Sequence, residues 1–291
     1  MDRMLDDVRL LAPRYGVAPA EVHEVPGGVA NRGFTLGPRL FVRVARTGFE
    51  DDLRKETAVV PLARKAGVRT PAILEYDESR AQLEGSYVVV ERVHGVEPLS
   101  TPTGVTVDLA RLHSLERTSL PDVPEDGWGE PRATVEGLAV SGYLDAGTAD
   151  WLTGWLERLE QRFDRSAPPV LLHGDVAPHN LLVDPADGSL EALIDWGDAA
   201  WGPRAFDFAK LRLTEVAHLL PSYLTATADE TLAADELAAG ILYLHLSWAL
   251  GKLTAEPWPA QRHWTAPPTS RLLNLLHFFT ANPPQPWPTL T

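Results

Sequence analysis

The sequence predicts an α+β fold with a small sheet first and a larger, mostly helical part after it. Short runs rich in valine, leucine and phenylalanine, separated by glycine turns, lie within residues 22–46 and 71–93 and predict strands. Apolar residues at helical spacing dominate from residue 105 to residue 280. The chain has 291 residues, more than one hydrophobic core usually holds, so two lobes or domains are expected.

Helices are predicted within the ranges 1–20, 49–66, 105–113, 144–163 and 208–280. Pro61 predicts a kink or an early end in the second of these, because proline removes a helical hydrogen bond. Residues 121–142, Asp122 among them, are rich in proline, glycine and acidic side chains and predict a loop or insertion. The proline-rich tail 283–288 is predicted to be irregular, and His113 is interpreted as a packed core histidine.

Composition and charge exclude several classes of protein. The formal net charge is −14, which argues against a nucleic-acid partner, since phosphate backbones attract basic surfaces. The chain has no cysteine, so disulfides, thiolate zinc sites and cysteine nucleophiles are excluded. No secretory signal and no apolar run of about 20 residues is visible, so we expect a soluble, cytoplasmic protein with no membrane partner. The acidity is compatible with a cationic substrate and equally with simple solubility.

Two stretches carry the polar residues that need an explanation: LLHGDVAPHN at 171–180 and ALIDWG at 192–197. Between them, Asp187-Gly188 is a strong signal for a two-residue type I′ hairpin turn. With that turn, opposed positions sum to 375, so Asn180 faces Asp195 with Cβ atoms about 5 Å apart. An amide oxygen and a carboxylate so placed can share one hard cation such as Mg²⁺. The alternative is an ordinary hairpin with a polar loop asparagine and a surface aspartate.

The order and spacing of Asp175, Asn180 and Asp195 resemble the catalytic core of protein-kinase-like phosphotransferases. The form HGDxxxxN followed by IDW is similar to that of aminoglycoside phosphotransferases and related small-molecule kinases. The resemblance implies that Asp175 is the base that orients a substrate hydroxyl. It implies that Asn180 and Asp195 bind the Mg²⁺ ions that bridge the nucleotide phosphates, and that Asp207 braces the catalytic loop.

The same resemblance assigns nucleotide contacts in the N-terminal part. Asn31, which follows a glycine turn, is placed at a phosphate. Arg43 occupies the strand where protein kinases carry a phosphate-binding lysine, and Glu56 is its expected ion-pair partner, with an ordinary surface salt bridge as the alternative. The adenine base is assigned to backbone groups, the carbonyl of Glu91 and the N–H of Val93.

The resemblance also implies a protein-kinase-like two-lobe architecture. Residues 1–95 would form the nucleotide-binding lobe, an antiparallel sheet with one main helix. Residues 96–291 would form a mostly helical lobe with the catalytic loop, the metal site and the acceptor pocket. The lobe boundary is placed near residue 95 because the last predicted strand ends there at His94-Gly95.

The implied reaction is ATP- or GTP-dependent phosphorylation of a small-molecule hydroxyl, with a cationic acceptor such as an aminoglycoside or another basic antibiotic. Acidic side chains available to such an acceptor are Glu215, Asp229, Glu230, Asp235, Glu236 and Glu256. The faces of Trp248, Trp258 and Trp264 can bind ammonium groups, and a solvated helix face or core packing is the alternative for each residue. A metabolic kinase of the choline, sugar or macrolide type and a catalytically silent pseudokinase are the rival functions.

Overall fold

The computed structural model describes residues 3–118, 120, 123–227, 229, 231–257 and 263–291. The chain divides into two compact units. The first comprises Met1–Pro102, Thr118–Pro124 and Asn180–Ala199, and the second comprises Thr103–Arg117, Glu125–His179 and Ala200–Thr291. A single lobe boundary near residue 95 stays a prediction, because the first unit also includes the later segment 180–199.

The described residues form helices and short strands in an α+β order. The strands are β1 (Val22–Val25), β2 (Asn31–Leu36), β3 (Leu40–Ala45), β4 (Ile73–Asp77), β5 (Tyr87–Glu91), β6 (Val170–Leu172), β7 (Leu181–Val183), β8 (Leu190–Leu193) and β9 (Ala200–Gly202). The α-helices are α1 (Arg3–Leu11), α2 (Glu50–Lys65), α3 (Val105–His113), α4 (Pro131–Val140), α5 (Ala146–Glu160), α6 (Ala205–Ala209), α7 (Leu213–Ala226), α8 (Ala234–Gly251) and α9 (Ser270–Thr280). Short 3₁₀ helices lie at Ala12–Tyr15, Pro19–Glu21, Pro178–Asn180 and Trp287–Leu290.

The first unit is built on a five-stranded antiparallel sheet with the strand order β1-β2-β3-β5-β4. Side chains alternate between the two faces of a strand, so Val42 and Val44 of β3 lie in one core cluster with Phe34. Leu53 of α2 packs with residues of the other face, including Val88. The sheet and its helix agree with the predicted N-terminal architecture.

Helix α2 runs without interruption through Pro61 to Lys65, so the predicted early end is wrong. A proline inside a helix costs about 3 kcal/mol, largely through a lost hydrogen bond and a steric clash. Val59, Val60 and Ala63 beside it are buried, and this packing offsets that cost.

In the second unit, the predicted loop over 121–142 is wrong in part, because α4 occupies Pro131–Val140. Pro131 stands at the first turn, where proline is tolerated, and Val135 and Leu138 supply a buried face. Asp122 lies outside the described residues. The tail is irregular over 283–286, as predicted, and a 3₁₀ turn at Trp287–Leu290 then buries both of its end residues.

Helix α8 is buried along most of its length, and α4, α5, α6 and α9 pack around it. In the part of the chain that the structure describes, no helix combines the length and the apolarity that a membrane crossing requires.

Candidate active site

The loop that carries Asp175 is held in place by Asp207, as the sequence predicts. Asp207 accepts hydrogen bonds from the N–H of His173 at 3.0 Å and of Gly174 at 2.8 Å. Nε2 of His113 lies 3.0 Å from the same carboxylate. Burial opposes ionisation, but His113 and these donors hold the pKa of Asp207 below its usual range. Gly174 has a φ of +85°, which favours glycine at this turn.

Asp175 itself has cationic and imidazole neighbours within the second unit. Nζ of Lys210 lies 3.3 Å from one carboxylate oxygen, and Nε2 of His179 lies 3.5 Å from the other. The Asp175 N–H donates to Nδ1 of His173. Burial would raise the pKa of Asp175, but the hydrogen bond from His179 and the charge of Lys210 hold it well below its usual range. The carboxylate is therefore ionised at neutral pH and can accept a hydrogen bond from a hydroxyl.

Two tryptophans predicted to offer faces to ligand ammonium groups are covered by cations of the protein. The Arg271 guanidinium lies 4.6 Å from the ring centroid of Trp248 and 5.3 Å from that of Trp264. Nζ of Lys210 lies 5.9 Å from the Trp248 ring, and the guanidinium of Arg212 lies 5.0 Å from the Trp264 ring. These cation–π contacts use the negative ring faces that an ammonium ligand would need. Trp258 lies outside the described residues.

The acidic residues assigned to the acceptor lie at helix ends and on the surface, where the structure describes them. Glu215 accepts from the N–H of Arg212 at the start of α7, and Asp229 pairs with Arg204 at 3.3 Å. Asp235 and Glu236 lie in the first turn of α8, and Glu256 is exposed. Glu230 lies outside the described residues.

In the first unit, the predicted ion pair between Arg43 of β3 and Glu56 of α2 is present. Arg43 also lies 3.2 Å from Oδ1 of Asp195, a contact that sequence reasoning did not find. Burial raises the pKa of Glu56 to about 7, against the attraction of Arg43. For Arg43, burial alone would lower the pKa, but Glu56 and Asp195 together raise it, so the guanidinium stays charged.

The hairpin that follows the Asp175 loop has a different register from the predicted one. Leu181 pairs with Leu193, so opposed positions sum to 374 rather than 375, and a bulge follows. The carbonyl of Asn180 accepts from the N–H of Ile194 at 2.9 Å, so Asn180 does not directly face Asp195. The reason lies in the turn, which is longer than two residues.

The turn extends from Asp184 to Ser189, and the N–H of Asp184 donates to the Ser189 carbonyl. Gly188 has a φ of +72° while Asp187 has no positive φ, so the turn is not type I′. The Asp187 side chain accepts from the Ser189 N–H at 2.8 Å. Pro185 also favours a turn that begins with φ near −65°.

Asp195 has a φ of +65°, an uncommon conformation for a residue other than glycine. Strand alternation therefore stops before Asp195, and its half-exposed carboxylate turns towards Arg43. Burial raises the pKa of Asp52, and the charges of Asp198 and Asp195 raise it further. Several acidic side chains of this unit therefore lie near Asp195.

The Asp195 carboxylate offers oxygen atoms, the donor type that Mg²⁺ prefers. Carboxylate and amide oxygens are the ligands that Mg²⁺ prefers, and Mg²⁺ usually takes one or two carboxylates together with phosphate oxygens and water. Within the described ranges, no group of three or more His, Asp or Glu residues is arranged to hold a metal unaided. The residues fit a metal ion whose remaining ligands are nucleotide phosphate oxygens.

The other predicted nucleotide residues also lie in the first unit. Asn31 begins β2, and its buried Oδ1 has no hydrogen-bond partner among the described residues. The N–H of Glu91 at the end of β5 donates to Ala72. Val93 follows outside the strand, and Glu91 and Val93 line part of a cavity of about 320 Å³.

Sequence reasoning missed several neighbours of the chemistry. His179 lies four residues after Asp175 near the end of the same loop, and Lys210 directly follows α6, but no sequence pattern indicates that either contacts Asp175. Arg271 and Asp52 approach from distant segments, and no local pattern marks them.

A profile described as "Phosphotransferase enzyme family" matches residues 21–249 of this chain. An aminoglycoside 3′-phosphotransferase of Streptomyces fradiae is 27% identical over 235 residues, which cover 73% of this chain and 84% of the relative. An aminoglycoside 3′-phosphotransferase of Streptomyces ribosidificus is 29% identical over 222 residues, 69% of this chain and 73% of the relative.

Two solved structures illustrate the fold. The GDP complex of aminoglycoside 2′-phosphotransferase-IIIa has a TM-score of 0.67 at 17% identity and covers 97% of this chain and 100% of its own. A choline/ethanolamine kinase family protein from Mesorhizobium loti has a TM-score of 0.64 at 18% identity, with coverages of 94% and 95%. The predicted protein-kinase-like α+β fold is confirmed.

Proposed function

Because the chain belongs to the phosphotransferase enzyme family, we propose that Asp175, Asn180 and Asp195 carry its transfer of a phosphoryl group to a small-molecule hydroxyl. A nucleotide is the co-substrate, and we assign it as ATP or GTP in complex with Mg²⁺. The observation that carries the proposal is the ionised, braced Asp175 in a chain that matches the family over residues 21–249.

Asp175 is the residue that receives the acceptor hydroxyl in this proposal. Its depressed pKa keeps the carboxylate charged, so it orients the hydroxyl and takes its proton as the new bond forms. Asp207 supports this role by fixing the loop backbone through His173 and Gly174. Fixed geometry matters because phosphoryl transfer depends chiefly on positioning and charge neutralisation.

Asn180 and Asp195 are the residues that we assign to Mg²⁺. A bound Mg²⁺ neutralises phosphate charge and orients the nucleotide. Arg43 supplies a further positive charge for the nucleotide, and Glu56 holds the guanidinium from the side of α2. We also place Asn31 at a phosphate, because it begins β2 shortly after a glycine turn and its side-chain amide has two N–H donors.

We assign the adenine or guanine base to the backbone at the end of β5. The candidates are the carbonyl of Glu91 and the N–H of Val93, which lies outside any strand. Backbone groups without a strand partner are suited to pair with the polar edge of a base.

An aminoglycoside is the first acceptor class that we propose, because both curated relatives are named as aminoglycoside 3′-phosphotransferases. The net charge of −14 favours the approach of a cationic acceptor. Such an enzyme would act inside the cell, where nucleoside triphosphates are made, and would confer antibiotic resistance.

A metabolic kinase with an uncharged acceptor such as a sugar is the second candidate, and one observation favours it over a kinase for any cationic acceptor, choline included. Lys210 and Arg271 cover faces of Trp248, and Arg271 and Arg212 cover faces of Trp264. These contacts leave less aromatic surface for an ammonium group than a cationic acceptor would use.

A growth-inhibition panel tests the acceptor class. The chain and its Asp175→Asn variant are expressed in a sensitive host and exposed to aminoglycosides, macrolides and cyclic peptide antibiotics. We expect protection against aminoglycosides by the parent chain alone. Protection against none of these compounds, with Mg²⁺-nucleotide turnover on another hydroxyl compound in vitro, would favour the metabolic kinase. Nucleotide binding without transfer to any hydroxyl would indicate a pseudokinase.

A further inference from the structure

A cluster of cations and aromatic rings lies beside Asp175 in the second unit. The cation–tryptophan cluster consists of Lys210, Arg271, Trp248, Trp264 and His263. Its parts are joined through consecutive backbone carbonyls at the end of α6. Arg271 donates to the carbonyl of residue 209 at 2.7 Å, and Nε1 of Trp264 donates to that of Lys210 at 3.0 Å.

The positive charge of this cluster is not balanced by its own residues. Arg271 is only 3% exposed, and no described carboxylate lies within 4.0 Å of its guanidinium. Asp175 is the carboxylate that pairs with Lys210. Burial, together with the charges of Arg271 and Lys210, lowers the pKa of Lys252. The excess positive charge of the cluster therefore acts on a third cation.

Buried imidazole nitrogens next to the cluster also lack partners in the described structure. His263 has its Nδ1 2.6 Å from the hydroxyl of Thr265, but its Nε2 has no hydrogen-bond partner. His245 is fully buried beside Trp264, and neither of its ring nitrogens is paired. Buried polar atoms without partners are energetically costly, so a ligand that pairs with them is favoured.

We propose that the cation–tryptophan cluster is a subsite that binds an oxyanion, phosphate or carboxylate, beside Asp175. Lys210 supplies a compact charge, Arg271 a planar set of donors, and His263 a further donor. The subsite rests on the proposed phosphotransferase function and adds a ligand group to it. The oxyanion is either the phosphoryl group in transfer or an acidic group of the acceptor.

Inorganic phosphate is the probe that tests the subsite, with acetate as the carboxylate probe. The full chain is first saturated with Mg²⁺-ADP, so that phosphate cannot occupy the nucleotide site. Binding of each anion is then measured by calorimetry for the parent chain, Lys210→Met and the control Arg162→Met. Arg162 is an exposed cation of the same unit, so its replacement changes the net charge equally.

We expect saturable phosphate binding by the parent chain and by Arg162→Met. We expect Lys210→Met to weaken it by about 10- to 100-fold, because a hydrogen bond to a charged group is lost. Arg271→Lys serves as the second variant, since it keeps the charge and changes the donor geometry, and we expect it to weaken binding about tenfold. Thermal unfolding of each variant confirms that it is folded.

Steady-state kinetics distinguish the two sources of the oxyanion. If the subsite holds the phosphoryl group, Lys210→Met lowers kcat for every acceptor and for nucleotide hydrolysis by water. If it holds an acidic group of the acceptor, Lys210→Met raises KM for a hydroxy acid acceptor more than it raises KM for an acceptor without an acidic group. Because Lys210 also contacts Asp175, either kinetic result supports the subsite only together with weaker anion binding by Lys210→Met.

The proposal is overturned if the parent chain binds neither phosphate nor acetate, or if folded Lys210→Met binds them as the parent does. In that case Arg271 serves only to cap the carbonyl at the end of α6. Failure of the phosphotransferase function would give a different result. The parent chain would bind the anions and Lys210→Met would bind them more weakly, but the parent chain would transfer phosphate neither to an acceptor nor to water.

Discussion

The two units carry opposite excess charge around the residues assigned to chemistry. Carboxylates outnumber cations near Asp195, where the charged groups are Asp52, Glu56, Asp195 and Asp198 against Arg43 and Lys55. Around Asp175 the balance is reversed, because Lys210 contacts it and Arg271 lies on the same tryptophan as Lys210. The same side-chain type therefore meets two different electrostatic environments.

This difference separates the tasks of the two carboxylates. A region with excess negative charge attracts a divalent cation, so Asp195 is suited to Mg²⁺. A carboxylate beside Lys210 stays ionised and can orient a hydroxyl, so Asp175 is suited to the acceptor. Phosphoryl transfer needs both tasks, because the metal neutralises phosphate charge while the base positions the nucleophile.

The largest expected effect comes from removing the charge of Asp195. Asp195→Asn should lower turnover by about 10³-fold or more, because metal-held charge stabilisation is lost. Asparagine tolerates the left-handed backbone at this position, so thermal stability should change little. Asp187→Asn, in the turn of the same hairpin, is the control and should keep full turnover. Normal turnover in Asp195→Asn would remove Asp195 from the metal site.

Asp207→Asn should destabilise the chain rather than alter the chemistry directly. Its carboxylate accepts hydrogen bonds from the N–H groups of His173 and Gly174. In the variant the asparagine NH₂ would face one of these donors, which should lower the free energy of unfolding by about 2–4 kcal/mol. Urea unfolding at neutral pH measures the loss. Asp164→Asn, an exposed carboxylate of the same unit, is the control and should unfold as the parent does.

The same carboxylate predicts a pH dependence of stability. The pKa of Asp207 is lower in the folded chain than its ordinary value of 3.8. Its contribution to the free energy of unfolding is therefore complete above that value and is lost as pH falls below it. Asp207→Asn should have a shallower acid slope than the parent. Parallel slopes would show that Asp207 does not stabilise the fold by its charge.

A smaller effect is expected from Arg43→Lys. Lysine has one ammonium group and cannot contact Glu56 and Asp195 together as the guanidinium does. We expect the nucleotide KM to rise about tenfold, with kcat less affected. Arg32→Lys is the matched control, since Arg32 stands on the neighbouring strand and pairs with Glu24. An equal KM for both variants would assign Arg43 to a structural ion pair.

The smallest effect is expected from Asp52→Asn, which tests the acidic field near Asp195 without removing an assigned ligand. The Mg²⁺ concentration for half-maximal activity should rise a few-fold, because a partly buried charge near the surface interacts only modestly with an ion that it does not contact. Asp51→Asn is the control, since Asp51 is exposed and pairs with Arg54. Equal Mg²⁺ dependence in both variants would mean that Asp52 does not contribute.

Local patterns predicted most of the fold. Strand patterning located β3, and helical spacing located α3, α5 and α8. Pro61 was misleading because burial of its neighbours outweighs the cost of one proline, a balance that only packing reveals. The loop prediction at 121–142 was wrong for α4, because proline is also common in the first turn of a helix and acidic residues on its exposed face.

The candidate site was likewise predicted in part. The resemblance to the phosphotransferase motif assigned Asp175 and Asp207, and the same resemblance assigned the pair of Arg43 with Glu56, which is present. The hairpin register could not be fixed from Asp187-Gly188, since the turn length depends on Pro185 and on the Asp187 side chain. Contacts between distant segments, such as Arg271 with the end of α6, leave no local signal.

The central claim is that ionised Asp175 serves the acceptor while a separate set of residues holds the Mg²⁺-nucleotide. The direct measurement is kcat together with the nucleotide dissociation constant for Asp175→Asn. We predict that kcat falls by about 10²- to 10⁴-fold while nucleotide affinity stays within about twofold of the parent value. Unchanged kcat, or a loss of nucleotide affinity equal to the loss of kcat, would contradict the account.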